Sequence, residues 1–252
     1  MPKPRIGVFG LTGCAGDQLM LLNAEDELLE LASLVDVRDF LLASSANDRH
    51  GELDVALVEG AVLSRRDEED LKRIRNRSRF LVALGTCALW GGVPAMGSEE
   101  HHAQRLARVY GQQADGYDSL PARALHEVVK VDAGLPGCPV EKRELLALIA
   151  HLLNENPPLL AGCPVCAECR LVENNCLMVG KSGVACCGPI TMAGCGARCP
   201  ALGVPCIGCR GPVEDANFAA ALAIFEQAGL PRETALAKLR IFSGRSAAGG
   251  LP

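Results

Sequence analysis

The sequence has few aromatic residues, little net charge and no long apolar run. Aromatic residues make up only 4% of the 252 residues, so the core must be built from aliphatic side chains, which suits parallel sheets flanked by helices. A net charge of −5 gives no reason to expect nucleic acid as a partner, and the one basic run, at residues 65–79, is interleaved with acids and is typical of a solvated helix face. No stretch approaches the roughly 18 apolar residues of a membrane-spanning helix, so we expect no direct membrane insertion.

The sequence also lacks a recognisable export signal. The start, MPKPRIGVFG, has only a four-residue apolar stretch after its charges, which is too short for the core of a secretory signal. The pair Arg65-Arg66 lies too deep in the chain to serve as a twin-arginine signal. We therefore expect a cytoplasmic protein, in which cysteines serve as metal or redox ligands rather than in disulfides.

Motifs for catalysis by this chain itself are missing too. The five histidines show no metal-binding spacing, and the loop GLTGCAG lacks the Lys-Ser/Thr ending of a phosphate-binding loop. Cys87, in GTCALWGG, has no histidine nearby in sequence that could act as its base. We predict no catalytic residue in this chain.

Cysteine is what the sequence has in excess. Ten of its thirteen cysteines lie within residues 163–209, a density that no ordinary packed core requires. Their spacing divides eight of them into two sets of four, which are Cys166, Cys169, Cys176 and Cys186, and then Cys195, Cys199, Cys206 and Cys209. Cys163 and Cys187 are left over. Four thiolates can hold zinc or an iron–sulfur cluster; turns rich in glycine and proline favour the cluster, with zinc as the alternative.

The remainder of the chain predicts an α/β fold. Strand-like segments at residues 5–9, 53–58, 79–84 and 127–131 alternate with helical patterns at 17–34, at 66–76 and from Pro139 onward. This alternation predicts a flavodoxin-like parallel sheet over residues 1–158, ending at Asn156-Pro157-Pro158. We predict that residues 159–252 form a second, cysteine-rich domain. Within it, residues 159–212 must be organised by metals. Helices follow at residues 213–228 and 232–241.

The three remaining cysteines lie far apart in the first domain. Cys14, Cys87 and Cys138 each follow a predicted strand within a turn rich in glycine or proline. Since the carboxyl ends of parallel strands share one edge of a sheet, we expect these three residues to meet at one site.

Seven motifs then occur in an order that resembles a known family. They are GLTGCAG, ALVEG, GTCALWGG, GLPGCP, VCAEC, CCGPITMAGC and PCIGCRGP. Over about residues 5–215 the chain resembles the small, electron-transferring subunit of [NiFe] hydrogenases, especially the cytoplasmic multimeric class. It is similar more weakly to the 20 kDa subunit of complex I, which lacks the two-cluster segment at the carboxyl end.

The resemblance implies three [4Fe-4S] clusters. It assigns a proximal cluster to Cys14, Cys87 and Cys138. Most relatives have a fourth cysteine three residues after the first, but Asp17 occupies that position here. We expect Asp17 to be the fourth ligand, with Glu59 as the alternative; a solvent ligand or an incomplete cluster is a further possibility, and Asp17 could be only a helix-start residue.

The resemblance assigns the two cysteine-rich sets as well. The first set of four would hold the distal cluster and the second set the medial cluster, with Cys199 implying four irons rather than three. Cys163 and Cys187 are then not ligands.

The resemblance also implies partners. Nickel would lie in a separate large subunit docked over the proximal cluster, and electrons would leave to a flavin or iron–sulfur subunit. The alternatives are a complex I-like or energy-converting oxidoreductase and a zinc-stabilised interaction module.

Overall fold

A parallel sheet forms the centre of the first part of the chain. The computed structural model describes residues 3–97, 102–154, 156, 160–179 and 184–244. Within these residues the strands are β1 (Arg5–Gly10), β2 (Asp36–Phe40), β3 (Leu53–Glu59), β4 (Ser78–Leu84) and β5 (Ala133–Leu135). All pair in parallel, in the order β2-β1-β3-β4-β5. This is the flavodoxin-like order, so the predicted fold class is confirmed, and the strand order reverses between β1 and β3.

The central strand β3 is buried on both faces. Its alternate side chains enter two different apolar clusters, with Val55 and Leu57 on one face and Ala56 and Val58 on the other. A strand that is covered on both sides is apolar where it is buried, which explains the run VALV at residues 55–58.

Helices supply the two outer layers. They are α1 (Gly16–Leu22), α2 (Glu25–Leu34), α3 (Arg65–Asn76), α4 (Gly85–Trp90), α5 (His102–Tyr110) and α6 (Lys142–Leu153). Leu145 and Leu148 of α6 pack with the Val55 face of the sheet, while Leu71 and Ile74 of α3 pack with the opposite face. None of the described helices combines the length and the hydrophobicity that a membrane crossing requires.

The helix predicted over residues 17–34 is in fact two helices. Asn23 ends α1, where its N–H donates to the carbonyl of Leu19. Asparagine is one of the residues that commonly end helices, and the leucine spacing on both sides of it concealed the break.

The strand predicted over residues 127–131 is wrong. Leu125–Glu127 is a short 3-10 helix, and Val128, Val129 and Val131 pack against the core without joining the sheet. The fifth strand is instead β5, whose sequence AGL has little strand preference and which pairs with Val82–Leu84 of β4. The β-branched residues therefore indicated burial rather than strand pairing.

The helix predicted to open at Pro139 begins at Lys142. The N–H of Val140 donates to the Asp17 carboxylate over 2.8 Å, which keeps this residue in the turn before the helix. Strand β2 was not predicted, because only Val37 and Phe40 of its five residues are apolar.

The cysteine-rich part is not organised by metals alone. It contains α7 (Val165–Leu171) and α8 (Arg198–Ala201) and is followed by α9 (Phe218–Gln227) and α10 (Arg232–Arg240). Val165 and Ile190 share an apolar cluster with Phe225 and Leu239 of the last two helices. Pro157 and Pro158 lie outside the described residues, so the boundary between residues 158 and 159 stays a prediction.

Candidate metal centres

The three cysteines that follow strands meet at the carboxyl edge of the sheet. Burial, together with the negative charges of Cys138, Asp17 and Cys14, raises the pKa of Cys87 to about 12, against an opposing hydrogen bond from the Val93 N–H. These interactions require the four side chains to share one region. Cys14 and Cys138 reach it from the turns that follow β1 and β5, although the sequence pattern indicated a different strand before Cys138. Cys87 was predicted in a turn but lies in the first turn of α4, which begins directly after β4.

Asp17 is a buried carboxyl within this group. Only 6% of the residue is exposed. Its Oδ1 accepts the Val140 hydrogen bond, while Oδ2 lies against Gly85, two residues before Cys87. Burial raises the pKa of Asp17 to about 7; the Val140 N–H opposes this shift and the Glu59 carboxylate adds to it. One carboxylate oxygen is thus fixed by the backbone.

Glu59 lies at the same edge of the sheet, close enough to Asp17 for the two charges to interact. It is 2% exposed, and its Oε2 accepts a hydrogen bond of 3.0 Å from the N–H of Gln18. Burial is the largest cause of the raised pKa of Cys138, followed by the charges of Asp17, Cys14 and Cys209, and the charge of Glu59 contributes least among these. For Cys87 the contributing charges include Asp17. The charge of Asp17 therefore affects both half-buried thiols of the group.

The first cysteine-rich set also converges. Burial raises the pKa of Cys166 to about 11, and the charges of three other cysteines add to the shift, in the order Cys186, Cys169 and Cys176. Gly188 lies between two of these thiols, because a Cβ on it would be 3.3 Å from Sγ of Cys166 and 3.5 Å from Sγ of Cys186. A side chain here would fill the space between the thiols, and glycine keeps that space open for a bound group.

Asn174 adds a hydrogen-bond donor to this set. Its backbone N–H donates to the carbonyl of Cys169 over 3.0 Å. Its side-chain Nδ2 is buried and has no partner among the described residues. A buried amide without a partner costs about 1–3 kcal/mol, so this position fits a bound group that offers an acceptor, such as the sulfur of an iron–sulfur cluster.

The second set has three members close together and one apart. Burial raises the pKa of Cys209, and the charges of Cys195 and Cys199 raise it further, against the opposing charge of Arg210. The thiol of Cys206 interacts instead with Cys186 and Cys187, and burial raises its pKa to about 12. Cys206 therefore lies between the two cysteine-rich sets.

The two cysteines left over by the spacing occupy different surroundings. Cys187 is buried in the apolar cluster of α9 and α10, and burial raises its pKa to about 12. The carbonyl of Cys163 accepts a hydrogen bond of 2.9 Å from the N–H of Ala193. In the part of the chain that the structure describes, no three His, Cys, Asp or Glu side chains converge tightly enough to hold a single metal ion.

Several polar contacts join the cysteine-rich part to the first part of the chain, and two of them involve the buried side chains of Arg210 and Thr86. The guanidinium of Arg210 is 2% exposed and forms two hydrogen bonds, of 2.7 and 2.9 Å, with the carboxylate of Glu144 in α6. The hydroxyl of Thr86 donates to the carbonyl of Cys209 over 2.6 Å. Neither Thr86 nor Arg210 was predicted as a contact residue. For Arg210 the one available signal is a lone arginine inside an otherwise uncharged motif, PCIGCRGP.

Comparison with known proteins agrees with this arrangement. The profile of the family described as NADH ubiquinone oxidoreductase, 20 Kd subunit, matches residues 14–152. Sulfhydrogenase 2 subunit delta of Pyrococcus furiosus is 39% identical over 239 residues, which cover 95% of this chain and 99% of that protein. This chain belongs to the 20 kDa subunit family and, within it, to the hydrogenase subunits.

One further relative and one solved structure are also similar to this hydrogenase subunit. A vhu subunit of the F420-non-reducing hydrogenase of Methanocaldococcus jannaschii is 30% identical over 273 residues, covering 95% of this chain and 94% of that protein. A chain of the NAD+-reducing [NiFe]-hydrogenase in the H2-reduced state superposes with a TM-score of 0.56 at 31% identity. The match covers 62% of this chain and 94% of that chain, so about a third of this hydrogenase subunit has no counterpart there.

Hydrogenase small subunits carry iron–sulfur clusters, and this chain has the thiols to bind them. The all-thiolate sets, the space beside Gly188 and the unpartnered amide of Asn174 all fit such a group.

Proposed function

We propose that this chain relays electrons through three [4Fe-4S] clusters between a hydrogen-activating nickel-iron site and a redox partner. The observation that carries the proposal is the serial contact between the three cysteine groups. The hydroxyl of Thr86, the residue before Cys87, donates to the carbonyl of Cys209 over 2.6 Å, which links the group at the sheet edge to the second cysteine-rich set. The N–H of Cys206 donates to the Sγ of Cys186. Three groups that adjoin one another in space suit stepwise electron transfer.

The proposed proximal cluster is held at the sheet edge by Cys14, Asp17, Cys87 and Cys138. A bound cluster supplies a site that accepts and releases one electron at a time, at a potential set by its ligands and hydrogen bonds. In this chain, the Val140 N–H orients the Asp17 carboxylate. An oxygen ligand is expected to change the potential relative to a four-cysteine cluster.

The proposed distal and medial clusters use the two cysteine-rich sets. Cys166, Cys169, Cys176 and Cys186 hold the distal cluster. Cys195, Cys199, Cys206 and Cys209 hold the medial cluster, for which Cys206 must turn its thiol toward the other three.

The proposed partners lie at the two ends of this series. Cys14 is exposed at one end, and Leu19, Val93 and Met96 nearby in sequence to the proximal ligands are between 45% and 48% exposed. An apolar surface around the first cluster suits a large subunit that carries the nickel. Cys176 is exposed at the other end, where a flavin or iron–sulfur subunit would take the electrons. We propose a cytoplasmic location for the whole complex.

Isolation of the intact complex tests this function. The chain, tagged and purified without oxygen, should bring with it a nickel-containing subunit. Hydrogen gas should then reduce the clusters of this chain, as seen by electron paramagnetic resonance. A complex whose clusters are reduced by a quinol or another donor, with no nickel and no response to hydrogen, would instead indicate the complex I-like alternative.

A further inference from the structure

Thr86 is a buried polar residue that contacts two of the proposed cluster sites. It is 1% exposed and lies in α4 directly before Cys87. Its hydroxyl donates to the carbonyl of Cys209 over 2.6 Å and accepts from the N–H of Gly137 over 3.3 Å. Its own backbone N–H donates to the Gly137 carbonyl over 2.7 Å.

Each of these contacts ends at or beside a proposed ligand. Gly137 precedes Cys138, and Thr86 itself precedes Cys87, so the start of α4 and the turn that holds Cys138 are tied to each other through this residue. Cys209 belongs to the medial set. The Thr86 hydroxyl donates one hydrogen bond and accepts another at the same time. It therefore connects the backbone beside Cys87 and Cys138 to the backbone of Cys209.

Packing around Thr86 keeps the two sites in contact. The ring of Trp90, at the end of α4, lies directly against Gly211, two residues after Cys209. The segment that contains Cys209 and Gly211 thus packs on α4, the helix that carries Cys87. The Thr86 hydroxyl adds a directional hydrogen bond to this contact.

We propose that Thr86 is a positioning residue that fixes the separation and orientation of the proximal and medial clusters. The inference rests on the function proposed above. The rate of electron transfer between two clusters depends steeply on the distance between them. The ligands of both clusters must therefore be held in place by neighbouring side chains that are themselves fixed. Removing the hydroxyl leaves the Cys209 carbonyl and the Gly137 N–H without a partner, and the two loops then separate or rearrange.

The test compares Thr86→Val with Thr86→Ser in the purified complex. Valine keeps the size of threonine but has no hydroxyl, whereas serine keeps the hydroxyl. Pulsed electron paramagnetic resonance measures the magnetic coupling between the reduced proximal and medial clusters, and a redox titration gives their potentials. We expect Thr86→Val to change the coupling and to shift the potential of at least one of the two clusters, and Thr86→Ser to match the wild type.

A matched control loses a buried hydroxyl far from the clusters. Ser78→Ala removes a 2.5 Å hydrogen bond to the Ile74 carbonyl, so it should lower the melting temperature without altering any cluster signal. If Thr86→Val does not fold, the same comparison uses the smaller Thr86→Ala.

Two results contradict the inference in different ways. Wild-type coupling and potentials in a folded variant that lacks the hydroxyl, with three clusters present, would overturn the role of Thr86 alone. Wild-type protein that holds zinc and no iron would overturn the proposed function, and the inference with it.

Discussion

The backbone N–H of Cys206 donates a hydrogen bond of 3.2 Å to the Sγ of Cys186. The Cys187 N–H in turn donates to the Cys206 carbonyl over 2.9 Å, so the two segments are tied in both directions. Cys186 belongs to the proposed distal set and Cys206 to the proposed medial set. The contact therefore connects the two cysteine-rich sets directly, through a proposed ligand of each.

The adjacent residues Cys186 and Cys187 should respond differently to replacement. We predict that Cys186→Ala loses one cluster, or about four of about twelve iron atoms per chain, because its thiolate is a ligand. Cys187→Ala should keep all the iron, because the charges that affect Cys166 of this set come from Cys186, Cys169 and Cys176 and not from Cys187. Iron quantification on the anaerobically purified variants measures both. Equal iron loss in the two variants would contradict the assignment.

Asp17 should determine the properties of the proximal cluster. We predict that Asp17→Ala changes the paramagnetic resonance spectrum and the potential of that cluster, since it removes the proposed fourth ligand. Asp17→Cys should retain four irons with a different potential, because it restores a thiolate at this position.

Glu59→Gln is the control for Asp17, since it removes a charge from a neighbouring buried carboxyl that already accepts the Gln18 N–H. An unchanged spectrum and potential in Asp17→Ala, together with a changed spectrum in Glu59→Gln, would make Glu59 the ligand instead.

The unpartnered amide of Asn174 should tune the distal cluster. A hydrogen bond to a cluster sulfur stabilises the reduced form, which carries more negative charge, and so raises the reduction potential. We predict that Asn174→Leu lowers the distal potential in a redox titration.

Asn175→Leu is the matched control, because Asn175 is the next residue and is exposed. It should leave the distal potential at the wild-type value. The same shift in both variants would show that the Asn174 amide makes no specific contact with the cluster.

The buried pair of Arg210 and Glu144 should stabilise the contact between the two parts of the chain. We predict that Arg210→Met lowers the free energy of unfolding by about 3–5 kcal/mol, because it leaves the Glu144 carboxylate half-buried without its partner. The double variant with Glu144→Leu should recover part of this loss. Recovery stays incomplete, since the guanidinium also donates to the carbonyls of Met192 and Ala193.

Denaturant unfolding of the anaerobic protein measures these changes. Lys142→Met is a control, since Lys142 lies on the same helix as Glu144, but its ion pair with Glu27 of α2 is at the surface, where such a pair contributes little. A double variant as unstable as Arg210→Met would contradict the role of the ion pair.

The sheet could be predicted from the sequence where strands carry their own signal. The apolar runs at β1, β3 and β4 are covered on both faces, and the flavodoxin-like arrangement followed from their alternation with helices. β5 could not be found, because AGL pairs with β4 through its backbone and has no periodicity. The valines before it supply a strand-like pattern although they pack against the core.

The candidate sites were predictable at the level of ligand types and spacing. Cysteine spacing and strand-end positions indicated which thiols to group. They could not indicate residues that act through long-range contacts, such as Thr86 and Arg210, because their partners are 123 and 66 residues away. The ligand assignments themselves stay predictions.

Metal analysis of the anaerobically purified chain, combined with paramagnetic resonance of its reduced form, tests the central proposal most directly. Three four-iron clusters predict about twelve iron atoms per chain, no stoichiometric zinc and three distinguishable cluster signals. Zinc in two four-thiolate sites with no iron would contradict the electron-transfer function.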